Sequence, residues 1–134
     1  MRAARLALGL GCDRGTPAAT ILRAIDEALA QAGVTLAEVG AVASIDLKAD
    51  EAGLLEVAAG YGWTIRFYAA AELAQVVVPN PSETVRKHTG TPSVSEAAAL
   101  LAAGADLTQL LTEKHKVRGP DGRHATVSIA RMSS

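Results

Sequence analysis

Four stretches carry the residues that could do chemistry. Gly9-Leu10-Gly11-Cys12-Asp13-Arg14-Gly15-Thr16-Pro17 follows an apolar run and precedes a helix-forming one. A strand that ends in glycines and re-emerges as a helix leaves backbone N–H groups where anions bind well. Arg14 adds a fork of donors for a carboxylate or phosphate, and Cys12 stands near a helix start, a place that softens thiols. The stretch lacks the Lys of a P-loop and the glycine spacing of a dinucleotide fingerprint. Without a ligand it is an ordinary strand-to-helix turn.

The second stretch, Ile45-Asp46-Leu47-Lys48, ends a predicted strand, with Asp46 and Lys48 two apart and therefore on one side of an extended backbone. Pro79-Asn80-Pro81-Ser82 repeats the logic of the first, because Ser82 starts a helix whose amides could receive an anion; a plain helix cap is the simpler reading of Ser82. A basic block follows near the end, with Lys114, His115, Lys116, Arg118, Arg123 and His124. Such a block also protects an edge strand. His88, His115 and His124 have no metal-ligand spacing among themselves or with Cys12, so no metal site is expected. No local signature such as G-x-S-x-G supports a catalytic triad.

The elements that must position these residues follow from periodicity. Residues 5–10 read as a strand, with Thr16 as N-cap and Pro17 as first residue of a helix over 17–32. Its Ile21, Leu22, Ile25, Ala28, Leu29 and Ala32 follow helical spacing, and Gly33 ends it. Residues 40–47 form a buried strand, and strand, helix, strand at this length predicts a right-handed parallel crossover. Helix 52–59 opens on acidic residues, and 63–68 is a strand by its β-branched and aromatic content. A brief helix over 69–74, an extended 75–78 and the proline breaker come next. Ser82 caps a helix over 83–88, closed by Gly90. Thr91-Pro92-Ser93 leads to a helix over 94–103, with Ser93 and Glu96 at capping-box spacing. Residues 107–116 and 125–130 pair as strands around a hairpin loop at 117–124. The sum is α/β: a single three-layer domain over 1–134, its mixed sheet flanked by helices, with a C-terminal antiparallel hairpin.

Composition narrows the function classes. The chain has 134 residues, 49% apolar and 20% charged, enough for one proper core. Aromatics at 3% argue against a stacking platform for single-stranded nucleic acid. The single cysteine excludes an internal disulfide and fits a reducing compartment. The basic start is followed by too short an apolar run for a signal peptide, and no run reaches membrane-spanning length. A cytoplasmic protein is expected. The net charge of −1 hides +4 between Lys114 and Arg131 against −5 elsewhere. That asymmetry favours a small anionic ligand over a duplex.

Taken together and in order, these motifs are similar to one known family. Residues 9–16, 43–51 and 78–82, with Gly90-Thr91-Pro92-Ser93-Val94-Ser95-Glu96-Ala97-Ala98-Ala99 and the run from Lys114 to Thr126, resemble the CobE/CbiG C-terminal domain family of cobalamin biosynthesis. The resemblance covers nearly the whole chain and implies the stand-alone form of the aerobic route. In the longer CbiG proteins the domain follows others, and the whole is a cobalt-precorrin-5A hydrolase that opens a lactone and releases acetaldehyde.

The implied ligand is a precorrin or hydrogenobyrinate-type corrinoid, ringed by acetate and propionate carboxylates. Its expected receptors are Gly11, Cys12, Arg14, Gly15, Thr16, Asp46, Lys48, Asn80, Ser82, Lys114, Lys116, Arg118 and Arg123. If the domain turns over a corrin-ring intermediate, Cys12 as nucleophile and Asp46 as base are the candidates. Other cobalamin-pathway enzymes are the expected protein partners, with neither nucleic acid nor membrane, and no cofactor is implied.

Overall fold

In the computed structural model, which describes residues 5–90 and 93–132, the first apolar run becomes β1 (Leu6–Cys12), the middle strand of the sheet. Alternation along β1 sends Leu6, Leu8 and Leu10 to one face and Ala7, Gly9 and Gly11 to the other. The chain then forms α1 (Ala18–Ala32), β2 (Val39–Ile45), α2 (Ala52–Tyr61), β3 (Ile65–Tyr68), α3 (Ala70–Ala74), α4 (Glu83–Thr89), α5 (Val94–Ala103), β4 (Leu110–Arg118) and β5 (His124–Arg131). The strands lie in the order β3-β2-β1-β5-β4. Those from β1 to β3 pair in parallel, and β5 inserts antiparallel between β1 and β4, with Gly9 opposite Ser128 and Cys12 opposite Ala125. The result is the single α/β domain with a mixed sheet flanked by helices.

The two faces of the sheet are packed differently. On one, Ile21, Ile25 and Leu29 of α1 and Leu54 and Val57 of α2 meet Leu6, Leu8, Leu10, Val127 and Ile129. On the other, α5 lays a nearly all-alanine face on Ala7, Ala41, Ala43 and Ala130. Small residues on both partners let α5 approach closely. A Cβ built on Gly9 would stand 1.8 Å from the Ser95 carbonyl oxygen and 2.6 Å from the Ala99 nitrogen, so only glycine fits there.

Several boundaries differ from expectation for physical reasons. Pro17, not Thr16, is the N-cap of α1. Thr16 is buried, and its hydroxyl donates to the Asp13 carbonyl at 2.7 Å with that of His124 at 3.2 Å, tying the loop to β5 instead of capping the helix. β2 stops at Ile45, and Asp46–Lys48 coils into a 3-10 turn, so Asp46 and Lys48 do not share a side of a strand. The third strand begins at Ile65; Trp63 packs on Tyr61 with ring centroids 4.5 Å apart. Residues 75–78 form no strand. Leu107–Gln109 is another 3-10 turn, started by the Asp106 carboxylate accepting from Thr108 N–H at 3.0 Å, and β4 begins after it. The hairpin strands run further than expected, leaving a loop over 119–123.

Ser82 caps α4 as expected, its oxygen accepting from Val85 N–H at 3.2 Å. The Ser93–Glu96 capping box does not form. Glu96 turns inward, fully buried, and accepts from Asn80 Nδ2 at 2.7 Å. Thr91 and Pro92 of the expected lead-in lie outside the described residues, as does the basic start over 1–4. Among the described residues no helix is long and apolar enough to cross a membrane.

Candidate functional site

A cleft of about 640 Å³ opens on the α5 side of the sheet, beyond the C-terminal end of β1. The C-terminal ends of parallel strands are where open α/β sheets receive ligands. Small groups make its floor: Gly11 from β1, Thr126 from β5, and Val94 and Ser95 from the first turn of α5. A Cβ on Gly11 would meet Thr126 Oγ1 at 2.6 Å, so the floor is as low as two strands allow. One wall is α4, which presents Thr84, Val85, His88 and Thr89. The opposite rim carries Cys12, Asp13, Arg14, Leu47, Lys48 and His124. Alternation along β4 places Lys114 and Lys116 in the cleft, while Val117 joins the core under α1 and His115 reaches Glu27 of α1 at 2.9 Å.

Of the residues singled out from sequence, Gly11, Cys12, Arg14, Lys48, Lys114 and Lys116 line this cleft. The others stand behind it. Gly15 N–H donates to Glu51 Oε2 at 3.0 Å, and Arg14 Nη1 lies 3.2 Å from Glu51 Oε1 and 3.0 Å from Asp50 Oδ1. Arg14 Nη2 donates to the Leu47 carbonyl at 2.9 Å. The glycine loop thus already holds an anion, the buried Glu51 carboxylate. Asp46 belongs to the 3-10 turn and does not line the cleft. Asn80 Nδ2 bridges Glu96 Oε2 and Glu113 Oε1, at 2.7 and 3.0 Å, and Ser82 spends its hydroxyl on α4. Both place the α4 wall from outside. Arg123 Nε donates to the Arg14 carbonyl at 3.0 Å and its Nη1 to Asp121 Oδ2 at 3.0 Å. Arg118 stands over Gly122 in the same hairpin.

Electrostatics separate the reactive candidates. Burial pushes the Cys12 thiol up to about 11, against the pull of Lys48 downward. At neutral pH it is a thiol, and the lysine does not make it a thiolate. The Arg14 guanidinium holds the Asp50 carboxyl below its ordinary value. Among the described residues no group of three His, Cys, Asp or Glu side chains is arranged to hold a metal ion.

Sequence reasoning missed His88, His124, Asp13 and the α4 wall as parts of one site. Asp13 and His124 meet although 111 residues apart: Asp13 Oδ2 accepts the His124 backbone N–H at 2.8 Å and lies 3.2 Å from its Nδ1. No local spacing signals that pairing. A second cavity of about 690 Å³ lies at the other end of the sheet, lined by Arg5, Glu38, Arg131 and residues 32–35. It contains none of the motif residues and faces the start of the parallel strands, so the cleft is the better candidate.

Comparison with known proteins identifies the family. Residues 6–130 match the family described as "Cobalamin synthesis G C-terminus". The chain is 47% identical over 125 residues to a cobalt-precorrin-5A hydrolase of Priestia megaterium, a match spanning 93% of this chain and 32% of that protein. It is 39% identical over 129 residues to protein CobE of a Sinorhizobium species, covering 95% of this chain and 80% of that one. The crystal structure of CobE, a protein from the cobalamin (vitamin B12) biosynthetic pathway, superposes with a TM-score of 0.77 at 36% identity over 96% of this chain and 90% of the other. The cobalamin biosynthesis protein chiG of Agrobacterium tumefaciens gives 0.67 at 36% identity, over 96% and 99% of the two chains. The chain therefore spans about a third of the hydrolase and most of the CobE relatives, and it belongs to the cobalamin synthesis G C-terminal family, as a protein of cobalamin biosynthesis.

Proposed function

We propose that the cleft binds a precorrin or hydrogenobyrinate-type corrinoid acid and hands it on to another enzyme of the pathway. The observation that carries this reading is the placement of Lys48, Lys114 and Lys116 around a floor of small and apolar groups. The lysines suit peripheral carboxylates, and Gly11, Val85, Val94 and Leu47 suit the flat face of a macrocycle. The volume falls within the range of ligand pockets, about 300–1,000 Å³. The first turn of α5 adds the positive end of its dipole to the same space.

Chemical turnover through the residues named from sequence gains no support. Cys12 is held as a neutral thiol and Asp46 lies off the cleft. Binding without chemistry is what the remaining groups do best.

Titrating the purified protein with hydrogenobyrinic acid, followed by its visible spectrum and by co-elution in gel filtration, tests the reading. A band shift with saturation at micromolar protein is expected. Lys114→Ala with Lys116→Ala should weaken binding by about tenfold or more, since two partly solvated charged contacts are lost. An unchanged spectrum with no co-elution would dispose of the reading.

A further inference from the structure

We infer that His124, oriented by Asp13, is a proton-accepting contact for a ligand carboxylate, so that binding of a polycarboxylate takes up a proton at His124 Nε2. The inference rests on the proposed corrinoid acid occupying the cleft. Its ground is a geometry the lysines do not share. Asp13 and His124 are fixed to each other three times: Asp13 N–H donates to the His124 carbonyl at 2.9 Å, and Asp13 Oδ2 faces both the backbone N–H and Nδ1 of His124. Thr16 Oγ1 also reaches the His124 carbonyl, at 3.2 Å. The ring is therefore held at the rigid junction of β1 and β5.

A carboxylate at Nδ1 selects the Nδ1–H form and leaves Nε2 with the lone pair. Nε2 makes no hydrogen bond to another described residue, and His124 lines the cleft. The charged or titratable groups around that space are Cys12, Asp13 and Arg14 from β1 and its loop, Lys48 from the 3-10 turn, His88 from α4, and Lys114 and Lys116 from β4. Arg14 is engaged by Asp50 and Glu51. Lysines are already charged at neutral pH and grip without exchanging a proton. An imidazole facing an incoming carboxylate gains a donor only by protonating, and Asp13 then stabilises the imidazolium from behind. Proton and ligand are thereby linked: binding that takes up a proton weakens as pH rises, by up to about tenfold per pH unit.

The test has two parts. Long-range ¹H–¹⁵N correlation of the free protein at high pH reads the His124 tautomer directly; Nδ1–H is expected, and Nε2–H overturns the inference with no ligand needed. Calorimetric titration with hydrogenobyrinic acid in buffers of different ionisation heat then counts protons. Where affinity falls with pH, uptake should approach one proton, fall in Asp13→Asn and vanish in His124→Gln, with His115→Gln, which lies outside the cleft against Glu27, leaving it unchanged. Tight binding without uptake, or uptake lost in His88→Gln and kept in His124→Gln, overturns the inference while the corrinoid reading stands. Failure of hydrogenobyrinic acid to bind at any pH overturns both.

Discussion

Glu51 caps the amide of Gly15: the N–H donates to Oε2 at 3.0 Å, and the carboxylate is only 3% exposed. Three features crowd onto this contact. Gly15 has φ +83°, so its amide points where few other residues could aim it. Arg14 comes to the other oxygen, and the start of α2 packs so near that a Cβ on Gly53 would stand 2.3 Å from the Thr16 carbonyl. The carboxylate thus joins the first loop to the first turn of α2.

Removing that carboxylate should loosen the whole rim. Glu51→Ala is expected to lose about 2–3 kcal/mol in urea unfolding, the worth of a charge-assisted hydrogen bond whose donor is left without a partner. Glu51→Gln, which keeps an acceptor, should recover part of that loss. Equal stability of all three proteins would show that the Gly15 contact carries no load.

Glycine at position 9 is a packing requirement. Gly9→Ala would drive a methyl group into the backbone of α5, and a helix held by an alanine face has no flexible side chains to yield. The expected cost is about 3 kcal/mol or more, at the upper end of overpacking effects. Gly60→Ala is the contrast: it lies within α2 with nothing within 4 Å of the added Cβ, and should stabilise by about 0.5–1 kcal/mol. Thermal melts of the pair decide the matter, and a harmless Gly9→Ala would mean that α5 sits further out.

Cys12 should be a slow thiol. With its pKa pushed up to about 11, roughly one molecule in a thousand is thiolate at pH 8. Alkylation by iodoacetamide is expected to be far slower than for free cysteine and to climb steadily with pH. Lys48→Ala should slow it further, because that lysine is what pulls the thiol downward. Rapid modification at neutral pH would contradict the burial of the group.

Acid should work on the outer face of the hairpin. The Glu27 carboxyl is held below its ordinary value, first by the hydrogen bond with His115 and then by that with Arg23. A carboxylate depressed in the fold binds fewer protons than it does unfolded. Its contribution is therefore fully present above about 4.5 and lost as pH falls through the lower folded value. In His115→Gln the Glu27 carboxyl should titrate at higher pH, as read by its ¹³C resonance, and the variant should lose less stability between pH 4.5 and the acid limit. An unmoved Glu27 titration would remove His115 as the cause.

Local pattern was enough to place most elements. The spacing of Ile21, Ile25 and Leu29 finds α1, the glycines at 33, 62, 90 and 104 mark helix ends by their left-handed φ, and Ser82 declares the start of α4. It failed where a side chain answers to a distant partner. Thr16 has the chemistry of a cap but serves the Asp13 and His124 carbonyls. Glu96 has capping-box spacing but turns toward Asn80. Glu51 reads as a dipole partner for α2, yet it reaches back to a loop formed 36 residues earlier. The site divides in the same way. Lys48, Lys114 and Lys116 are visible because strand ends and basic runs are local facts. His124 is not, because its neighbour is set by the insertion of β5 beside β1.

That insertion has a temporal meaning. Synthesis delivers β1, β2 and β3 first, and their parallel core can begin to assemble while one long side of β1 still has no neighbour. Residues 124–131 fill that place, and they are made after everything else in the sheet. Until they arrive, β1 offers an apolar open edge of the kind that recruits other chains. The cleft does not yet exist either, since Thr126 and His124 come with the closing strand. A nascent molecule therefore gains its cleft and loses its sticky edge in one event, and a ligand that binds the finished cleft would hold that last strand in place.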